Sequence, residues 1–181
     1  AVKGMDENYT HYMPVKGFPD LREAISKKFK RDNDLDYSID QIVVSTGAKQ
    51  TISNVLLSLV NPGDEVIIPS LTFVADVNVV NLVGATPKLA DATSLHDWNM
   101  SLESVEQQIT EKTKAVIVVH YAGYPCRDIM AISQLCRDKG IGLIEDVAHA
   151  PGATVDGKVC GTFGDVGCFS FFSNKNLSIG E

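Results

Sequence analysis

The chain has 181 residues, of which 44% are hydrophobic and 22% are charged, and its formal net charge is −7. This composition is typical of a globular protein with one domain, or with one domain and a fragment. The acidic balance argues against a nucleic-acid partner, since the basic run from Lys27 to Arg31 fits the solvated side of one helix.

Two further classes are disfavoured by the sequence. No apolar run approaches the roughly 20 residues that span a bilayer, so we expect no membrane partner. The four cysteines form no C-x-x-C pair, and the histidines do not lie at metal-ligand spacing beside them. We therefore expect no metal site, reduced thiols and a cytoplasmic location.

The chain begins with a predicted loop. Residues 1–18 are assigned to an N-terminal loop segment, and residues 19–181 to one partial large domain. Residues 20–31 are predicted to form an amphipathic helix, because Leu21, Ala24, Ile25 and Phe29 share one face. A short buried strand over 41–45 and a turn at Thr46-Gly47 follow.

From there strands and helices alternate to the end of the sequence. Predicted helices follow Gly47, cover 74–82, cover 102–109 after an N-cap at Ser101, and cover 128–139 before Gly140. Asp156-Gly157 predicts a small hairpin. The six predicted strands are 41–45, 65–69, 86–90, 115–121, 141–145 and 166–172. This order predicts an α/β fold with a mostly parallel, doubly wound sheet.

Ligands of such sheets bind beyond the carboxyl ends of the strands, which directs attention to the residues that follow each strand. The segment Gly47-Ala48-Lys49 opens a helix, where free N–H groups and the helix dipole favour an anion. The alternative is that Gly47 only turns the chain. Neither the G-x-x-x-x-G-K-[ST] nor the G-x-G-x-x-G pattern of nucleotide-binding loops occurs.

Three later residues complete the candidate site. Asp146 follows the apolar run of 141–144 and is expected to be partly desolvated, although a helix cap is an alternative. His149, taken alone, is interpreted as a packed histidine that hydrogen-bonds a carbonyl. Lys175 is either an ordinary solvated lysine or a desolvated nucleophile. An anion-binding helix end, a carboxylate and a lysine are together what pyridoxal 5'-phosphate requires.

Residues 70–181 resemble the DegT-type sugar-nucleotide aminotransferases. The resemblance is carried by PSLTFVADVNVVNLVGATP, TKAVIVVHYAGYPCRD, IEDVAHAPGA and GDVGCFSFFSNKN. It implies that Lys175 forms the Schiff base with the cofactor and that Asp146 pairs with its pyridinium nitrogen. It also implies that His149 hydrogen-bonds near the phenolic oxygen, that Phe73 stacks on the ring, and that Ser170 binds the phosphate.

Residues 1–69 are similar to class I aspartate aminotransferases, another branch of the same fold type I. NYTHYMPVKGFPDLREAI and STGAKQTISNVLLSLVNPGDEVIIP carry this similarity. It implies that Gly47, Ala48 and Lys49 form the phosphate cup and that Tyr12 reaches the phosphate of a neighbouring subunit. The change near Pro69-Ser70 is interpreted as a junction between the two branches, in a chimera or a fragment.

The resemblance implies a pyridoxal-phosphate-dependent aminotransferase that acts as a homodimer. Glutamate is the expected amino donor, and a keto-sugar nucleotide is the expected acceptor. The alternatives are an aspartate-like amino-acid aminotransferase, a dehydratase or lyase on the same scaffold, and a non-catalytic fragment. The chain is expected to be part of a longer protein, ending before an antiparallel strand and a small domain of the family.

Overall fold

A computed structural model describes residues 2–179. The chain divides between Ser45 and Thr46 into two compact units. This division differs in position from the domain boundary predicted after residue 18. That predicted boundary stays a prediction.

The structure contains six α-helices and seven strands within the described residues. The helices are α1 (Val2–Asp6), α2 (Pro19–Asn33), α3 (Ala48–Leu59), α4 (Val74–Leu82), α5 (Leu102–Gln108) and α6 (Ile129–Lys139). The strands are β1 (Glu65–Pro69), β2 (Thr86–Ala90), β3 (Thr113–Val119), β4 (Gly142–Asp146), β5 (Thr154–Val155), β6 (Lys158–Val159) and β7 (Val166–Cys168).

The first unit contains α1, α2 and a single 3-10 turn, Ile39–Gln41. Ser38 and Gln41 form a capping box around that turn. The predicted strand over 41–45 is therefore wrong. Its first residue, Gln41, belongs to the 3-10 turn, and residues 42–45 form no strand in the described part of the chain. The amide of Val44 instead donates to the carbonyl of Lys16, at 3.0 Å.

The second unit is built on a five-stranded sheet with the order β2-β1-β3-β4-β7. All four neighbouring pairs are parallel, which confirms the predicted fold class. The last strand ends at Cys168 rather than at residue 172. The hairpin predicted at Asp156-Gly157 is present as the antiparallel pair of β5 and β6.

Helices cover both faces of this sheet, as the near-continuous apolar strands require. On one face, α3 and α4 pack against residues such as Ile68, Ile117 and Ile144. On the other, α5 and α6 pack against Ile67 and Leu143 with their neighbours. Within the described residues, no helix is both long enough and apolar enough to cross a membrane.

Candidate active site

The order of the strands contains a switch point between β1 and β3. The chain moves outward from β1 to β2 and then returns to place β3 on the other side of β1. The connections after β1 and β3 consequently diverge, and this is where parallel α/β sheets bind ligands. The segments after β1, β3, β4 and β7 all leave from the same edge.

The N-terminus of α3 presents open backbone. Gly47 precedes the helix with a φ of 86° and gives it no side-chain cap. A Cβ at Gly47 would meet no described atom within 4 Å, so the space beside it is open. Free N–H groups in the first turn of a 12-residue helix fit an anion such as a phosphate.

Asp146 ends the buried strand β4 and is 7% exposed. Its Oδ1 accepts a hydrogen bond from the amide of Ala148, at 2.8 Å. Burial raises the pKa of Asp146 and outweighs the hydrogen bond from the Ala148 amide and the nearby basic side chains of His149, Lys175 and His120, which lower it. The carboxyl is thus held by a local turn, and it interacts with the basic groups of the neighbouring segments.

Lys175 and His149 meet although 26 residues separate them in sequence. The Nζ of Lys175 lies 2.9 Å from Nε2 of His149. Both side chains are half-buried, and the amide of Lys175 is fixed by the carbonyl of Phe172 at 2.9 Å. The hydrogen bond between the Lys175 Nζ and the His149 ring nitrogen gives Lys175 one defined direction.

The remaining predicted residues lie at three places. Phe73 is 54% exposed, and the Nζ of Lys49 lies 5.5 Å from the centroid of its ring. Ser170 is buried just beyond β7. Tyr12 is exposed and belongs to the first unit, so its role stays a prediction. The structure therefore brings together Asp146, His149 and Lys175, and separately Lys49 and Phe73.

A buried acid in α4 was missed from sequence. Asp76 is 1% exposed, and its Oδ2 accepts a hydrogen bond from the hydroxyl of Thr72. The sequence signal for it was an acid among valines in an apolar helix. Charged residues are usually interpreted as lying on the solvated face of a helix, and that interpretation does not predict a buried acid.

The pairing of His120 with Glu145, which the sequence did not predict, anchors the strands behind the site. Nε2 of His120 lies 3.0 Å from Oε2 of Glu145, and both side chains are fully buried. Glu145 also accepts from the amides of Gly161, Phe163 and Gly164, at 2.7, 2.6 and 2.7 Å. Burial raises the pKa of Glu145, but the hydrogen bonds from His120, Gly161 and Gly164 outweigh it, so the pKa is lowered.

This donor set fits pyridoxal 5'-phosphate. An uncapped helix N-terminus suits the phosphate, a buried carboxyl suits a protonated ring nitrogen, and an oriented lysine suits an aldehyde. Within residues 2–179 no group of three or more His, Cys, Asp or Glu side chains is arranged to hold a metal ion.

The model of the DegT/DnrJ/EryC1/StrS aminotransferase family matches residues 40–181. GDP-perosamine synthase of Escherichia coli O157:H7 is 40% identical over 88% of this chain and 42% of its own length. Aspartate aminotransferase of Bacillus sp. strain YM-2 is 42% identical over 81% of this chain and 38% of its own length. The aminotransferase TlmJ of Streptoalloteichus hindustanus superposes with a TM-score of 0.75 at 33% identity, over 94% of this chain and 45% of the other.

The extent of these matches bears on the predicted junction. The chain spans less than half of the length of the three relatives. The matches to the perosamine and aspartate enzymes cover 159 and 151 residues, and each is longer than either segment flanking Pro69-Ser70. Similarity to both branches therefore crosses that point, and the chimera interpretation stays a prediction.

Proposed function

Because the chain belongs to the DegT/DnrJ/EryC1/StrS aminotransferase family, we propose that it is the cofactor-binding part of a pyridoxal-phosphate-dependent aminotransferase. The observation that carries this proposal is the contact between Lys175 and His149 beside the buried Asp146. A lysine, its orienting partner and a carboxylate are the groups that this chemistry needs within one site.

Each residue has a physical task in this proposal. When bound, pyridoxal 5'-phosphate supplies an aldehyde for amino groups and a ring that withdraws electrons from the reacting carbon. Asp146 would hold a protonated ring nitrogen, because its buried carboxylate gains most from a cationic partner. The Nζ of Lys175 would bind the aldehyde and, once released, carry the proton of the reacting carbon.

The other residues would position and enclose the ligand. The amides at Gly47, Ala48 and Lys49 would bind the phosphate together with Ser170. Phe73 offers an exposed ring face for stacking. His149 would hold Lys175 in place, and we keep its contact with the phenolic oxygen as part of the proposal.

The substrates are proposed from the relatives. A keto-sugar nucleotide acceptor is supported by the 40% identity to a GDP-perosamine synthase, with glutamate as the proposed donor. The 42% identity to an aspartate aminotransferase supports an aspartate-like amino-acid aminotransferase as the second candidate. A homodimer in which Tyr12 reaches a neighbouring subunit and a cytoplasmic location are proposed as well, the latter because the four cysteines are free thiols.

One experiment tests the catalytic proposal. The chain is mixed with pyridoxal 5'-phosphate and reduced with borohydride, and the modified peptide is identified by mass. We expect the reduced cofactor to be attached to Lys175. Prior incubation with glutamate should remove the absorbance of the bound aldehyde form and, with it, the labelling. Lys112→Ala is the matched control, because Lys112 is exposed outside the site. Equal labelling of Lys175→Ala would contradict the proposal.

A further inference from the structure

Two buried aspartates reach the same face of the sheet. Side chains alternate along β4, so Asp146 points to the side on which Ile144 packs with α3 and α4. Asp76 lies in the first turn of α4, one turn before Val79 and Val80, which belong to the same core. Both carboxyls therefore lie near the carboxyl end of the sheet, on the α3–α4 side.

The position of Cys168 agrees with this placement of the two aspartates. Cys168 is the register partner of Asp146 in the neighbouring parallel strand, so the two side chains lie side by side. Burial raises the pKa of the Cys168 thiol to about 12, and the charges of Asp146, Asp76 and Glu145 contribute further. Both aspartates therefore lie close enough to Cys168 to raise the pKa of its thiol.

Asp76 is buried with limited compensation for a charge. Its side chain is 1% exposed, and the Thr72 hydroxyl donates to Oδ2. Burial raises the pKa of Asp76 to about 6; the Thr72 hydrogen bond lowers it, and the charge of Asp146 raises it. Among the described residues one hydroxyl donates to this carboxyl, and one hydroxyl does not replace the hydration of a carboxylate. A cation bound nearby would therefore favour ionisation of Asp76.

The charges on the surrounding elements are distributed unevenly. From α3, Lys49 directs its ammonium over the ring of Phe73. From β2, Lys88 is the register partner of Ile67, which packs on the opposite face. The basic groups that act on the carboxyl pair do so through Asp146, and they are Lys175, His149 and His120.

On the premise of the proposed function, we propose that Asp76 is a positioning residue that acts through Asp146. The two acids form a coupled carboxyl pair, in which ionisation of Asp76 strengthens the hold of Asp146 on a cationic ring nitrogen. The proton of Asp76 passes to solvent, and a second negative charge then lies behind the first. Crowding of the two charges is relieved when the cation binds, so binding and ionisation favour each other.

The coupling is tested first without cofactor. Carboxyl carbons of labelled aspartates are titrated by NMR in the wild-type chain, Asp76→Asn and Asp146→Asn. We expect each substitution to lower the titration midpoint of the remaining partner, since the interaction is reciprocal. Asp91→Asn is the matched control, because Asp91 follows β2 at the same edge of the sheet and is exposed. An Asp76 midpoint that does not move in Asp146→Asn would overturn the inference.

The second measurement is the affinity for pyridoxal 5'-phosphate, followed by fluorescence between pH 5 and 8. In the wild-type chain we expect binding to tighten as the pH rises through about 6. The phosphate of the ligand titrates in the same range, so in Asp76→Asn the part of this step that exceeds the phosphate titration should disappear, with affinity at pH 7.5 reduced roughly tenfold. Thr72→Val keeps the charge but removes the hydroxyl donor, so it should move the step to higher pH.

The two measurements separate the inference from the proposed function. Reciprocal midpoints together with loss of the binding step in Asp76→Asn support the inference. Reciprocal midpoints with an unchanged binding step would overturn the role of Asp76, while the proposed function would stand. If pyridoxal 5'-phosphate does not bind the folded wild-type chain, the proposed function fails and the inference that rests on it fails too.

Discussion

The ammonium of Lys175 lies 2.9 Å from Nε2 of His149, so the reactive lysine of the proposed site is oriented by an imidazole from the loop that follows β4. This contact joins the segment after β7 to the segment after β4. The two side chains are expected to respond together to substitution, because each holds the other in one rotamer.

Removing the imidazole should weaken attachment of the cofactor. In His149→Phe, Lys175 loses a hydrogen bond of the charge-assisted kind, worth about 1.5–3 kcal/mol, and we expect roughly 10- to 100-fold weaker formation of the borohydride-stable product. His149→Gln supplies an amide oxygen as acceptor and should restore part of the loss. His96→Phe, at an exposed position, is the control, and equal losses in the two Phe variants would contradict the role of His149.

A glycine near the site is expected to influence His149 through its backbone. Gly123 has a φ of 88°, and a Cβ there would lie 3.1 Å from the carbonyl oxygen of His149. In Gly140, with a φ of 66°, an added Cβ meets no described atom within 4 Å. Substitution by Ala should cost each variant about 1–2 kcal/mol of stability from backbone strain. Only Gly123→Ala should also weaken cofactor attachment, and an equal effect of Gly140→Ala would contradict this.

The stability of the cofactor-free chain should depend on pH through Asp76. Burial raises the pKa of Asp76 from 3.8 to about 6, so the folded chain binds more protons than the unfolded chain between these values. Its free energy of unfolding therefore falls as the pH rises through this window. At pH 7.5, Asp76→Asn should be more stable than the wild-type chain by on the order of 2–3 kcal/mol.

Urea unfolding at pH 7.5 and pH 4 measures this difference. At pH 4 the wild-type carboxyl is protonated in the folded chain, so the advantage of Asp76→Asn should largely vanish. A difference that is the same at both values would show that ionisation of Asp76 does not cause it.

The opposite pH dependence is expected for Glu145. Its pKa is lowered in the folded chain from the ordinary value of 4.5, so its contribution to stability is present above pH 4.5 and is lost as the pH falls through the folded value. At pH 7, Glu145→Gln should lower the free energy of unfolding by roughly 3–5 kcal/mol, because an amide replaces a buried carboxylate among N–H donors.

The proton arrangement at His120 makes this loss specific. The amide of Cys126 donates to Nδ1 at 3.1 Å, so the ring proton lies on Nε2 and faces Glu145. The control is Glu111→Gln at an exposed position, which should change stability by less than about 0.5 kcal/mol. Similar denaturant midpoints for the two variants would contradict the anchoring role of Glu145.

Much of the fold could be predicted from local pattern. The bounds of β1, α4 and β2 agree with the expected ranges to the residue, and Ser101 caps α5 by accepting from the amide of Ser104. These features depend on apolar periodicity and on residues a few positions apart. The predicted strand over 41–45 failed because a capping box and a contact with Lys16, neither visible in apolar pattern, determine its backbone.

The candidate site was predicted in part. Resemblance of motifs indicated Asp146, His149 and Lys175, and the structure places the last two in contact. Asp76 and the pair of His120 and Glu145 were not foreseen. Their importance depends on which strands become neighbours and on how deeply each side chain is buried, and neither follows from spacing along the chain.

Glu145 and Asp146 are consecutive in β4 and point to opposite faces, one toward the amides of 161–164 and the other toward the candidate site. If only the lysine, histidine and aspartate were grafted onto another α/β scaffold, the Asp146 carboxyl would be present, but the contacts of Glu145 that fix the backbone of β4 would be absent. The loop 161–164 and His120 would have to be grafted together with Asp146. The minimal set of elements needed to graft this site is therefore three strand ends and a loop, and three side chains are not sufficient.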